Sequence, residues 1–314
     1  MNVQPRDSGP ISSSSVWPHP AQGIRVAAEI VSVSEESHIP RYAALLSDSA
    51  SGVLPRASIS AVDELIELRK KCGRFRVLVL GRANAGKTTL LKAVCGAAGD
   101  PEVLYDSPSQ SLLSPTAGRG EHNINTQLVF PSNQGFIFHD SRGFEAGSDE
   151  EMKAVTEFIQ KKGDSRELKD QLHVIWYCIP TDNEARLLSG PEQELLRKCS
   201  AGPVPLVVIF TKFDSLEAKA FHELKGTGLT RQQAQQDAPQ HAYAEFQRCH
   251  LPHLFGEKHP KYICLKKQNN TDIQGKMAEL IQQTVDAIGV DALKLLLVSV
   301  QRNNLQLTIE YAVR

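Results

Sequence analysis

The sequence predicts an α/β domain in which a mostly parallel sheet is covered by helices on both faces. Short apolar runs at 75–80 (FRVLVL), 174–179 (VIWYCI), 204–210 (VPLVVIF) and 262–265 (YICL) have the length and continuity of strands buried on both sides. Amphipathic stretches with helical spacing follow these runs, the pattern of repeated strand–helix units. The chain has 314 residues, 41% hydrophobic and 23% charged, an ordinary globular composition that can bury a sizeable core.

Residues 1–58 read as a disordered arm, because serines repeat at 12–15, prolines recur and aromatics are few. Such a stretch buries too little apolar surface to offset the entropy of ordering. Within it, only 24–31 (IRVAAEIV) has strand or helix character. A folded domain is expected over 59–289. It opens with a short helix capped by Ser60, with Asp63 three residues on, and stopped at Gly73. After the strand 75–80 come a glycine-rich turn and a helix from Lys87 to Cys95. The runs 127–130 (QLVF) and 136–139 (FIFH) flank 131–135 and predict a hairpin with a five-residue loop. Ser148 to Glu151 form a capping box that opens a helix with Met152, Val155 and Ile159 on its apolar face.

Residues 215–260, rich in Gln and His, read as an insertion with a helix around 230–247. The last helix of the domain carries Ile273, Met277, Leu280, Ile281 and Ile288 and ends at Gly289. Residues 290–314 form an amphipathic tail that either docks on the domain or leads to a protein partner.

Bulk properties exclude several classes. Lys+Arg 35 against Asp+Glu 36 leaves a net charge of −1, with no broad field for nucleic acid. Six scattered cysteines without a CxxC pair fit reduced thiols in a cytoplasmic protein. The longest apolar stretches fall far short of the ~20 residues of a membrane span, and the start lacks the pattern of a secretory signal.

The chemistry is concentrated in three motifs. GRANAGKT at 81–88 matches G-x-x-x-x-G-K-[ST] between an apolar strand and a helix start, the context that motif requires. Successive N–H groups around Asn84, Ala85, Gly86, Lys87, Thr88 and Thr89 can surround a polyphosphate. Lys87 then reaches the β and γ oxygens, and Thr88 ligates Mg²⁺. DSRG at 140–143 ends the strand 136–139; Asp140 holds Mg²⁺ through a water, and the Gly143 N–H senses the γ-phosphate. TKFD at 211–214 ends the strand 204–210. There Asp214 can accept from the N1–H and N2–H₂ of guanine together, while adenine would leave it unpaired. Thr211 and Lys212 complete that motif, with the Lys212 stem along the base.

With these motifs in this order, residues 75–288 resemble the P-loop GTPases of the translation-factor-related superclass, locally the Era, septin and tRNA-modification branches. The stretches GRANAGKTTL, HDSRGFEAG, IWYCIP and FTKFD are also similar to fungal G-domain proteins. The resemblance implies a Ras-like G domain, a three-layer P-loop NTPase fold with a six-stranded sheet and one antiparallel hairpin strand. GTP and GDP with Mg²⁺ become the expected ligands. Thr116, 24 residues before Asp140, takes the switch position that closes on Mg²⁺ and the γ-phosphate; Thr126 is the weaker choice. The base-edge loop, commonly Ser-Ala-Lys, maps to Cys264, Leu265 and Lys266, so a backbone N–H near Leu265 would meet the guanine.

One departure bears on rate. Many GTPases place a Gln after DxxG to orient the attacking water; this chain has Phe144, which cannot hydrogen-bond. Unassisted hydrolysis should then be no faster than on the order of 10⁻⁴–10⁻³ s⁻¹. In the tRNA-modification branch an Asn at the position of Asn84 helps hold K⁺ when two G domains face each other, which implies K⁺-assisted hydrolysis in a homodimer. The alternative is that Asn84 only shapes the loop. Arg82 and Arg142 read as charge-stabilising fingers or, more simply, as solvated surface arginines. His139, Trp176 and Tyr177 read as core residues. The spacing of Cys249, His250, His253 and His259 fits no standard zinc set and reads as a solvated loop.

Two functions follow: a GTP-hydrolysing switch of low intrinsic activity, or a GTP-binding scaffold with negligible turnover. An Era-like RNA binder is disfavoured, since no GXXG-bearing RNA module or basic excess is present.

Overall fold

A computed structural model describes residues 70–104, 124–141, 149–183, 187–266 and 270–300, with backbone alone at 149–150 and 270–274. The expected arm 1–58, the Ser60 helix, Thr116, Arg142, Gly143, Phe144, Ser148 and the tail beyond 300 lie outside the described residues.

The first strand, β1 (Phe75–Gly81), is buried along its whole length. Val77 and Val79 face one layer of helices while Leu78 and Leu80 face the other, which is why the run is continuously apolar. Chain order then gives α1 (Lys87–Cys95), β2 (Glu102–Leu104), β3 (Gln127–Phe130), β4 (Asn133–Asp140), α2 (Asp149–Gly163), β5 (Val174–Pro180) and α3 (Gly190–Ala201). It continues through β6 (Leu206–Thr211), α4 (Asp214–Gly226), α5 (Arg231–Glu245), a π-helical turn (Phe246–His250), α6 (Leu251–Phe255), β7 (Lys261–Cys264), α7 (Asn270–Ala287) and α8 (Asp291–Val300).

The sheet order is β2-β3-β4-β1-β5-β6-β7. From β4 to β7 every pairing is parallel, and β2/β3 and β3/β4 are antiparallel. The fold class is therefore the expected one, extended by a seventh strand. That strand, β2, is three residues long and carries no sequence pattern of its own. The hairpin also differs: β4 already starts at Asn133, and a register irregularity between Leu128 and Phe130 takes up the residues assigned to a five-residue loop.

Two cores flank the sheet. One joins Phe136, Phe138 and Trp176 to Leu90 and Leu91 of α1, Leu280 and Ile281 of α7, and Leu296 and Leu297 of α8. Trp176 is fully buried and its Nε1 donates to Thr284 Oγ1 at 3.1 Å. The other core joins Tyr177, Ile179 and Phe210 to Phe158 of α2, Leu195 of α3, Leu216 of α4, and Ala238 and Ala242 of α5.

The insertion is thus helical through most of its length, with Ala234, Ala238 and Ala242 forming its buried stripe. The tail takes the docked form as far as Val300. Asn133 Nδ2 donates to Val300 O at 3.1 Å, and Gly135 lies so close that a Cβ there would sit 2.7 Å from the Val300 Cβ. Of the six cysteines, Cys72, Cys95, Cys178 and Cys199 are buried, Cys264 is half-buried and Cys249 is exposed. Burial pushes the Cys95, Cys178 and Cys199 thiols up to about 12. No described helix is long and apolar enough to cross a membrane.

Candidate nucleotide site

The site grows from the C-terminal ends of neighbouring parallel strands. Strand β1 stops at Gly81, whose φ is +140°; a Cβ there would meet the Cys178 carbonyl oxygen at 2.4 Å, so no larger residue fits without displacing β5. The loop then turns through Asn84 (φ +60°) and Gly86 (φ +83°), and Ala85 N donates to Arg82 O at 3.2 Å. Gly86 is the N-cap of α1, so the first N–H groups of that helix, which have no intrahelical acceptor, face the loop. The Lys87 side chain is buried and curls back over the turn, donating to Gly81 O at 2.9 Å and Arg82 O at 3.0 Å. An ammonium held across a ring of amides is a cradle for an anion. Thr88 and Thr89 are exposed on the first turn of α1.

Asp140 ends β4 opposite Val79 of β1, which brings its carboxylate to the same edge as the loop. Ser141 ties that end down, donating from N (3.1 Å) and Oγ (3.2 Å) to Val79 O. The Thr88 hydroxyl and the Asp140 carboxylate are hard oxygen donors of the kind Mg²⁺ takes, so the residues present fit that ion.

Thr211 ends β6, and its Oγ1 donates to Ala85 O at 2.8 Å. One hydrogen bond therefore joins the TKFD motif to the glycine loop across 126 residues of sequence. Lys212 has φ +57°, and its ammonium lies 2.6 Å from Asp182 Oδ2. Asp214 opens α4, partly exposed. Phe213 N donates to Leu265 O at 2.9 Å and Leu265 N to Phe210 O at 2.7 Å, which fastens the end of β7 to this turn. The Leu265 N–H is thus used within the protein, and the Lys266 ammonium pairs with Glu217 Oε1 at 2.5 Å.

Sequence reasoning missed three residues. Thr181, buried just past β5, donates from N to Thr211 O (2.9 Å) and from Oγ1 to Lys212 O (3.0 Å), bracing the TKFD turn. Asp182 holds the Lys212 ammonium. Glu192, near the start of α3, takes the Arg82 guanidinium in two parallel bonds, Nε to Oε1 at 2.7 Å and Nη2 to Oε2 at 2.5 Å. Arg82 is therefore held in an ion pair rather than simply solvated. No local signal points to these partners, because each lies on a different strand or helix from its target.

His139 is buried against Phe158, with Nδ1 3.0 Å from Ile124 O. Desolvation drives its pKa down to about 4, the state of a packed neutral ring. Among the described residues, the cysteine and histidines at 249–259 do not converge; one group that does is Glu223, His241 and Glu245, where the Lys219 ammonium already lies 3.6 Å from Glu223.

No family model matches the chain. It is 26% identical over 162 residues to ADP-ribosylation factor-like protein 3 of Chlamydomonas reinhardtii, covering 51% of this chain and 75% of that one. Among solved structures it is similar to an ADP-ribosylation factor-like GTP-binding protein, the small COPII coat GTPase SAR1 of Encephalitozoon cuniculi in complex with GDP. That match has 15% identity and a TM-score of 0.34, over 85% of this chain and 95% of that one. The G domain of the T. maritima FeoB iron transporter matches at 20% identity and a TM-score of 0.27, over 49% and 82%. A mutation variant of SsGBP matches at 12% identity and a TM-score of 0.36; the match takes in 76% of this chain and 65% of that one. Superpositions this loose carry no argument. The strand order, the motif geometry and the relative at 26% identity are the observations on which a functional reading can draw.

Proposed function

We propose that this chain, a P-loop GTPase domain by fold and motif order, binds GTP and GDP with Mg²⁺ and hydrolyses GTP slowly as a switch. The observation that carries the reading is the Thr211–Ala85 hydrogen bond, which ties the TKFD turn to the glycine loop. In this reading the amides of residues 84–89 enclose the phosphates, and Lys87 exchanges its loop carbonyls for phosphate oxygens. Thr88, Asp140 and Thr116 would hold Mg²⁺, which would supply positive charge at the phosphates. Gly143 contacts the γ-phosphate. Asp214 selects guanine, with Thr211 and Lys212 supporting it. Because the Leu265 N–H is already bonded, the base-edge contact falls to the Lys266 amide.

Phe144 offers no group to orient water, so turnover depends on help from outside the loop. K⁺ held at Asn84, which is exposed and left-handed, in a pair of facing G domains is the help we favour. The second reading, a GTP-binding scaffold whose tail or insertion engages a protein partner, is favoured by Phe144 alone.

Titration with GTP and ATP tests the core of the proposal: GTP should bind and ATP should be weaker by at least ~100-fold, because adenine would leave the Asp214 carboxylate unpaired. Equal affinities would refute it. Phosphate release in K⁺ should exceed that in Na⁺ and rise more than linearly with protein concentration. Negligible release under every condition would favour the scaffold.

A further inference from the structure

We propose that Glu192 is a positioning residue for nucleotide binding: through its two-point hold on Arg82 it keeps the phosphate loop in the shape that receives a polyphosphate. This rests on the nucleotide-site reading above.

The geometry is that of a clamp. Arg82 is the second residue of the loop, and its side chain runs to α3, 110 positions further along the chain. Glu192 is nearly inaccessible, with its side chain 4% exposed. Its Oε2 also accepts from Ser189 N and Ser189 Oγ, both at 2.7 Å. A carboxylate so engaged has little freedom to move. Burial would raise the pKa of its carboxyl, but the hydrogen bonds from Arg82 and Ser189 outweigh that and hold it below the ordinary range. The two-bond fork fixes the guanidinium in direction as well as distance.

The backbone of the same residue is what Lys87 grips, since Arg82 O accepts from both Lys87 Nζ and Ala85 N. Thr211 pins the far limb at Ala85 O. The loop is thus fixed at both ends by contacts within the protein. Ligand binding to a loop already ordered loses less conformational entropy than binding to a mobile one.

Glu192→Gln tests this selectively, because a capping box accepts Gln in place of Glu. The start of α3 is preserved and only the ionic hold on Arg82 is lost. In nucleotide-free protein, amide exchange in a peptide covering 81–86 should quicken about fivefold or more, with the rest of the sheet unchanged. The Kd for GDP should rise about tenfold. A merely structural defect is represented by Leu296→Ala on α8, which should lower global stability and leave the GDP Kd as in the wild type. If Glu192→Gln does not fold, Arg82→Lys, which keeps the charge but not the fork, is read in the same two assays. Wild-type exchange at 81–86 together with wild-type GDP affinity in the folded variant overturns the inference. If the wild-type protein binds no guanine nucleotide, the functional reading falls, and the exchange measurement alone decides the role of Glu192.

Discussion

Asp214 stands at the first turn of α4, three residues past the hydroxyl that bonds the phosphate loop. In the proposed reading a carboxylate there would accept two hydrogen bonds from guanine, whereas a carboxamide would present one acceptor and one donor and match the 2-oxo edge of xanthine. Asp214→Asn should therefore weaken GTP by ~100-fold or more and strengthen XTP. A competition titration with labelled GDP reads both changes, and unchanged GTP affinity would refute the base assignment. At this scale the sequence exposes residues whose role is carried by a short motif. Gly81, Lys87, Thr88, Asp140, Thr211 and Asp214 are visible because a tight turn beside a strand end demands those residue types within a few positions. Glu192, Thr181 and Asp182 are not, since their partners are brought close only by the strand order.

The helix α8 shows what periodicity can and cannot deliver. Its apolar face, Leu293, Leu296, Leu297 and Val300, signals that it must cover something. Which surface it covers is decided by the Asn133 side chain and the bare backbone at Gly135, neither of which advertises a partner. Leu296 is fully buried there. Leu296→Ala should cost about 2–5 kcal/mol, read as a lower urea midpoint at unchanged slope. An unchanged midpoint would show that α8 is not part of the cooperative unit. The strand β2 was illegible for the opposite reason: three residues hold no periodicity, and pairing to β3 alone makes it a strand. Within the insertion, α5 packs through Ala234, Ala238 and Ala242, side chains too small to stand out as a hydrophobic face in a Gln-rich stretch.

At the scale of the whole molecule, the described residues include two buried neutral imidazoles, His139 and His173, each pushed down to about 4 by desolvation. His173 Nδ1 accepts from Arg76 N at 2.9 Å while Nε2 lies 2.9 Å from Leu168 O, so the proton belongs on Nε2 and a second one would break the pairing. In the unfolded chain both rings take up protons near pH 6.5. Between about pH 6.5 and 4 the unfolded state therefore binds more protons than the folded one, and stability falls as pH falls through that window. The slope is at most about 1.4 kcal/mol per pH unit for each ring. Urea midpoints should drop from pH 7 to 5, and equal midpoints would show that neither ring is buried as described. The distribution of sulfur has a practical corollary. With four thiols enclosed in the two cores and Cys264 half covered, Cys249 on the turn Phe246–His250 is the one open to a bulky electrophile. A maleimide dye should attach there first in the native protein, giving a reporter on the insertion without engineering and leaving the glycine loop unmodified.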